Sequence, residues 1–378
     1  MKILLVITKS EIGGAQMFVL NLALSLKQIG CNVEVVAGDG DYLFHELDKN
    51  GIRYYHLESL KRDLNIFNAL YFSYELYKLL KKKKYDIVHL NSSNTLIGAV
   101  SAMILKRGPK SVFTFHGLSF IDKNFGSNVV IKWIGKFYFK VILKAVDGIV
   151  CECTENYNEV IKNKIVDHSE IIYNGLDGSV LTFQPKEEAR DYFSSKCGID
   201  LSDNFVIGST GRLAYQKNYE FLINCFSSVK EKIPNAKLVV IGDGPDRDKY
   251  IKQIKKLNLQ DDIFLVGEIK NSFRYMKGFD VFTLTSRYEG VSISLIEAIY
   301  APVPILASNV GGNPDVVGDC EMQLFELNDM EDYVNKIVEI QKNTSMLIEH
   351  NDKMKSRFAL ASMANNYNKL YESLAKRK

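Results

Sequence analysis

Eleven short apolar runs, each four or five residues long, recur along this 378-residue chain and alternate with stretches of helical periodicity. Short strands separated by helices build right-handed βαβ units on a parallel sheet covered on both faces. Six runs come first, at 3–7, 33–37, 86–90, 111–115, 148–151 and 170–173. Five follow, at 205–209, 237–241, 263–266, 281–285 and 303–307. Helical patterns lie between them, notably at 15–28, where Phe18, Leu22 and Leu26 share a face, and at 220–232 and 292–301. The two groups are parted by a more polar segment, 174–204, carrying Gly175, Gly178, Pro185 and Gly198. It reads as a connection between domains. Length agrees, since a single core stops growing at roughly 250–300 residues. The pattern predicts two doubly wound α/β halves in tandem, followed by a helical, charged stretch at 330–378.

Apolar residues make up 46% of the chain and charged residues 25%, enough for two globular cores. A net charge of +3 is too mild for nucleic acid as a partner. The lysines are nevertheless concentrated in the first half, as Lys78 with Lys81 to Lys84, and as Lys132, Lys136, Lys140 and Lys144 at helical spacing. Six scattered cysteines lack paired metal-site spacing, which favours reduced, buried thiols. Cys151 and Cys153 read as the buried face of a strand in preference to a redox or metal pair. Residues 1–8 carry one lysine and a short apolar run, read as a first strand and not a signal peptide. The longest other apolar stretch, 96–105, falls short of the ~20 residues that span a bilayer. A soluble or peripheral protein is expected.

Open α/β sheets bind ligands beyond the carboxyl ends of their strands. The loop after the first run contains Gly13 and Gly14 and opens a helix, where an anion is favoured. It matches neither the dinucleotide fingerprint nor the P-loop, so a plain turn stands beside a phosphate contact. His116 and Gly117 follow the run at 111–115, placing the histidine either toward a cleft or in a buried backbone bond. After the run at 205–209 come Gly211, Arg212 and Leu213, then Lys217 and Asn218. Two cations five residues apart in a helix-opening loop suit a diphosphate, against the alternative of two solvated charges. The turn at Gly242 to Pro245 reads as a tight turn only. Residues 287–298 are the most informative. Glu289 precedes a helix and Glu297 lies within it, in an otherwise apolar stretch. A lone carboxylate there needs a partner or ligand, and a ribose diol suits it. The backbone N–H groups around Gly290, Val291 and Ser292 are placed for phosphates or sugar. An acid/base pair of a glycoside hydrolase is the alternative reading of the two carboxylates. A separation of about two helical turns better suits gripping two ends of one long ligand.

Taken in order, these motifs resemble family 4 of the glycosyltransferases. Gly13-Gly14-Ala15-Gln16 is similar to its first glycine loop, with Gln where Glu is common. His116-Gly117, Tyr173-Asn174-Gly175-Leu176-Asp177, and Gly211 to Asn218 resemble its histidine loop, interdomain stretch and basic clamp. Glu289 to Glu297 resembles its E-x7-E signature, and Gly311-Gly312-Asn313-Pro314-Asp315 a late glycine turn with Asp for Glu. The resemblance implies the GT-B fold: two facing Rossmann-like doubly wound parallel-sheet domains, an interdomain cleft and a C-terminal crossover helix. Residues 1–178 would bind the acceptor, 179–353 the nucleotide-sugar donor, and 354–378 would cross back to the first domain. It also implies a retaining, metal-independent transfer with no cofactor. Arg212 and Lys217 would neutralise the donor diphosphate, with Gly13 and Gly14 offering backbone to the same phosphates. Glu297 would hold the ribose. Glu289 and His116 would contact the sugar, and Gly290, Val291 and Ser292 would line the donor site.

The implied reaction moves a hexose or N-acetylhexosamine from a UDP-sugar, with GDP-mannose second, to a glycan or lipid-linked glycan in surface polysaccharide synthesis. Expected partners are donor, acceptor and an anionic membrane surface, with a cytoplasmic location at the inner face of the plasma membrane. The membrane expectation rests on the lysines and on Tyr71, Phe72, Tyr74, Tyr77, Trp133, Phe137, Tyr138 and Phe139 among them. The competing reading is solvated helix faces over a buried aromatic core. Rival functions are an epimerase or phosphorylase of the same fold and a non-catalytic sugar-nucleotide binding subunit.

Overall fold

The computed structural model describes residues 1–377 apart from Leu64, Ser119, Phe120, Lys123 and Ser127. Two compact units emerge, Met1–Gly175 with Ala359–Lys378, and Leu176–Phe358. The chain therefore leaves the first unit at Gly175 and rejoins it at Ala359, beside the 178 and 354 read from the sequence.

The first unit opens with β1 (Lys2–Ile7), α1 (Gly14–Gln28), β2 (Asn32–Ala37), α2 (Tyr42–Lys49) and β3 (Arg53–His56). It continues with α3 (Ile66–Lys83), β4 (Ile87–Leu90), α4 (Gly98–Met103), β5 (Lys110–Phe115) and α5 (Val129–Ile142). β6 (Gly148–Cys151), α6 (Thr154–Lys162) and β7 (Glu170–Ile171) complete its sheet. The strands are parallel in the order β3-β2-β1-β4-β5-β6-β7. β1 is buried along almost its whole length, as a central parallel strand covered on both faces must be.

The second unit contains α7 (Lys186–Cys197), β8 (Phe205–Thr210), α8 (Tyr219–Lys232), β9 (Ala236–Ile241) and α9 (Arg247–Lys256). β10 (Ile263–Gly267), β11 (Val281–Leu284), α10 (Ile293–Tyr300), β12 (Ile305–Ser308) and α11 (Asn313–Val317) follow. β13 (Leu324–Phe325), α12 (Met330–Lys342) and α13 (Thr344–Met354) end it. Its parallel order is β10-β9-β8-β11-β12-β13. The last helix, α14 (Leu360–Ala375), returns to the first unit.

Each face of the first sheet has its own core. On one, Phe18, Leu22 and Leu26 of α1 meet Tyr367, Leu370, Tyr371 and Leu374 of α14. A side chain at Gly148 would run into Leu374 Cδ1 at 2.8 Å, so glycine there lets α14 settle on the sheet. On the other, Phe72, Leu76 and Leu80 of α3 pack with Phe113, Phe139 and Leu143. The aromatic residues named above divide between the two readings. Phe72 and Phe139 are buried and Tyr77 and Tyr138 half-buried, whereas Tyr71, Tyr74, Trp133 and Phe137 are exposed.

The polar segment at 174–204 is not a bare connection. It holds α7, started by Pro185 and stopped by Gly198 in the left-handed region, and α7 belongs to the second unit. Arg190 is buried there, its Nη1 donating to the carbonyls of Leu201 and Asn204 at 2.7 and 2.8 Å. The two strands that the alternation missed, β3 and β13, lie at sheet edges. There, incomplete burial or two-residue length leaves little apolar signal.

Candidate active site

In the second unit the strand order reverses at β8, which has β9 on one side and β11 on the other. The loops leaving β8 and β11 part at that point, where open sheets take ligands. Arg212 and Lys217 lie in the first loop, and Glu289 in the second. The two loops are tied together. Lys217 Nζ sits 2.6 Å from Glu289 Oε1, and Ser286 Oγ donates to the same oxygen at 2.6 Å. Gln216 Nε2 reaches Glu289 Oε2 at 3.3 Å and the Tyr288 carbonyl at 3.1 Å. Thr285 Oγ1 donates to the Lys217 carbonyl at 3.0 Å. Glu289 is only 8% exposed, so its charge depends on these partners. Arg212 is exposed, and its guanidinium has no hydrogen-bond or ion-pair partner among the described residues.

Glycines hold these loops at close range. A Cβ at Gly311, whose φ is +57°, would lie 2.1 Å from the Glu289 carbonyl oxygen. Gly312 N donates to the Gly290 carbonyl at 3.1 Å. In the Gly242 to Pro245 turn, a Cβ at Gly242 would lie 2.1 Å from the Gly211 carbonyl, so this turn backs the cation loop.

α10 starts just beyond Glu289. Val291 is buried, and the Ser292 hydroxyl meets Ser294 Oγ at 3.0 Å without capping the helix. The first-turn N–H groups of α10 therefore have no side-chain cap. Glu297 lies in the second turn, partly buried among Leu295, Ile296, Ala298 and Ile299. Among the described residues its carboxyl has no hydrogen-bond or ion-pair partner. Desolvation pushes its pKa up to about 8.

In the first unit, His116 follows β5 and turns away at Gly117, whose φ of +123° favours glycine. Its Nδ1 lies 2.6 Å from Glu152 Oε1 and its Nε2 3.2 Å from Asn91 Oδ1. The Asn91 amide nitrogen donates to the His89 carbonyl at 3.0 Å, which fixes the amide oxygen toward His116. The Phe18 ring packs edge-on at 4.6 Å. Behind this group, buried His89 meets Thr114 Oγ1 at 2.8 Å and Tyr371 Oη of α14 at 2.7 Å. Burial, and then the neighbouring His116, hold His89 well below the usual histidine range.

The glycine loop after β1 is looser. Gly13 has an extended φ of 179°, which any residue adopts. A Cβ at Gly14 would meet nothing within 4 Å. Neither the fold nor the packing of the chain requires glycine at 14, leaving open space over the first turn of α1.

Asn91, Glu152, Gln216 and Ser286 escaped the sequence reading. Asn91 and Glu152 each stand directly after a strand, the position that singled out His116. Gln216 lies beside Lys217, hidden by the stronger signal of the cations.

Residues 12–179 match the family described as "Glycosyltransferase Family 4", and residues 196–358 match "Glycosyl transferases group 1". An Escherichia coli protein, UDP-Gal:alpha-D-GlcNAc-diphosphoundecaprenol alpha-1,3-galactosyltransferase, is 30% identical over 82% of this chain and 80% of its own. The chain belongs to the family 4 glycosyltransferases. The capsular polysaccharide biosynthesis glycosyltransferase CapM of Staphylococcus aureus is 25% identical over 86% of this glycosyltransferase and 85% of its own length. Among solved structures, Anabaena HepE in complex with UDP and glucose superposes with a TM-score of 0.82 at 18% identity. That likeness spans 99% of this chain and 100% of HepE. It shows the fold, which is GT-B. Among the described residues, no helix is long and apolar enough to cross a membrane.

Proposed function

We propose that this glycosyltransferase transfers a hexose or N-acetylhexosamine from a nucleotide diphosphate sugar, a UDP-sugar in preference to the alternative GDP-mannose, to a glycan or lipid-linked glycan in surface polysaccharide synthesis, retaining anomeric configuration and requiring no metal. The observation that carries the reading is Glu297. It is a carboxyl without a partner among the described residues, raised to about 8, on the helix that follows the Lys217–Glu289 pair. A ribose diol supplies the two donors that this carboxylate lacks. The names of the E. coli and S. aureus relatives support the donor class and the role in polysaccharide assembly.

In this reading the second unit binds the donor. Arg212 and Lys217 neutralise the diphosphate as the glycosidic bond breaks, in the role a divalent ion plays elsewhere. Lys217 is shared with Glu289, so the pair gives the loop a fixed cation and an oriented carboxylate. Glu289 then holds sugar hydroxyls through its remaining lone pairs, beside Gly290 and the first turn of α10 with Val291 and Ser292. In the first unit, Gly13 and Gly14 offer backbone to phosphate oxygens, and His116 contacts a sugar. No protein nucleophile is assigned. Rate enhancement rests on leaving-group stabilisation and positioning.

The test is binding and slow hydrolysis across UDP-, GDP-, ADP- and dTDP-sugars with EDTA present. UDP-sugars are expected to bind and to release UDP despite the chelator, with binding lost in Glu297→Ala. Conversion of the sugar nucleotide to its epimer without UDP release, or loss of activity with EDTA, would overturn the reading.

A further inference from the structure

Twenty large apolar side chains are exposed among the described residues, and seven of them lie on α5 alone. A further five lie on α3, from Ile66 to Tyr74, whereas the whole second unit contributes Val180, Tyr215, Met330 and Met346. The distribution is therefore not the scatter that ordinary surfaces show. α5 seals the sheet with Gly135 and Phe139 and turns Val129, Trp133, Ile134, Phe137 and Val141 outward. Trp133 and Phe137 are 68% and 60% exposed and stack on one another, with ring centroids 6.2 Å apart.

Charge selects the occupant. From Asn128 to Val146 the chain has no acidic residue and four lysines, Lys132, Lys136, Lys140 and Lys144. Lys136 Nζ donates to Asn163 Oδ1 at 2.7 Å, and Lys140 and Lys144 have no acidic partner among the described residues. A second copy of this chain laid on the same face would set four lysines against four. An anionic surface with an apolar interior satisfies both features, because tryptophan settles at the headgroup boundary and lysine stems reach lipid phosphates.

We propose that α5 docks this protein on an anionic phospholipid bilayer, with Trp133, Ile134 and Phe137 at the acyl boundary and the α5 lysines on lipid phosphates. The apolar residues crowd the amino-terminal half of α5. A helix joining β5 to parallel β6 starts at the carboxyl end of the sheet. The docked face therefore lies toward the same end of the first unit as His116. α3 runs the same way, from exposed Ile66 and Phe67 to lysines at its last turn. The inference does not depend on the donor chemistry proposed above.

Trp133 is the only tryptophan in the chain, so the native protein carries its own reporter. The full chain is mixed with vesicles of phosphatidylcholine alone or with phosphatidylglycerol added. Expected is a blue shift of Trp133 emission and protection from iodide with phosphatidylglycerol only, reversed by about 0.5 M salt. The variant Ile134→Ser with Phe137→Ser, which keeps the reporter, is expected to partition at least roughly ten-fold more weakly. Its UDP-sugar hydrolysis in free solution is expected to equal that of the wild type, which separates failure here from failure of the transferase reading. No shift with any vesicle, or an equal shift with phosphatidylcholine alone, overturns the proposal. So does a vesicle-independent shift that grows with protein concentration and accompanies a dimer in sedimentation, which would assign the face to a second copy.

Discussion

A carboxyl group raised to about 8 keeps its proton at neutral pH, and Glu297 does so without a hydrogen-bond partner among the described residues. Between the ordinary 4.5 and about 8, the unfolded chain has released this proton while the folded chain keeps it. The contribution of Glu297 to stability therefore falls as pH rises through that window and is constant above it. Glu297→Gln removes the dependence. The melting temperature of the variant is expected to gain on the wild type by a few degrees between pH 5 and pH 8, measured by calorimetry. The Lys217–Glu289 pair behaves differently. Lys217→Met strands a carboxylate that is 8% exposed and is expected to cost about 3 kcal/mol in denaturant unfolding. Adding Glu289→Gln should recover most of that stability but none of the activity. The glycines divide in the same manner. Gly311→Ala is expected to lower stability, because its Cβ meets the Glu289 carbonyl at 2.1 Å in a left-handed backbone. Gly14→Ala is expected to leave stability unchanged and to weaken substrate binding, read by thermal melts beside titration. At this scale the sequence was legible where charge broke an apolar pattern, as at Glu297. It was silent where one polar residue supports another, as Glu152 does for His116, because that contact joins residues 36 apart in the chain.

At the scale of elements, α14 joins the chain's end to the histidine network. Tyr371 Oη lies 2.7 Å from His89 Nδ1, and Tyr367 Oη 3.0 Å from Thr114 Oγ1, both inside the first core. Tyr371→Phe leaves a buried imidazole nitrogen without its partner. It is expected to cost about 1–3 kcal/mol of unfolding free energy, while Tyr42→Phe, on a half-buried ring whose hydroxyl donates to the Met17 sulfur at 3.0 Å, costs less. The central strands were legible because both faces are buried and each carries apolar and β-branched residues in an unbroken run, so β1, β5 and β8 begin within one residue of the runs read from the sequence. α7 was not. Its sequence is mostly polar, and only Ala189, Arg190 and Phe193 face inward. An arginine buried by four donor contacts has no hydrophobic signature.

Across the whole molecule, chemistry and surface divide between the units. The second holds the cations and carboxylates at the point where its strand order reverses. The first holds the histidine network and, among the described residues, sixteen of the twenty exposed large apolar side chains. The central claim is that the second unit binds a nucleoside diphosphate sugar with Glu297 on the ribose. Hydroxyl donors favour the charged carboxylate, so binding must lower the pKa of Glu297 and expel its proton. The most direct measurement is titration calorimetry of UDP-glucose at pH 7, with EDTA, in buffers of different ionisation enthalpy. The account predicts release of close to one proton per UDP-glucose bound, falling toward zero by pH 9 and absent in Glu297→Gln. Tight binding with no proton release at pH 7, or the same release from Glu297→Gln, would contradict it.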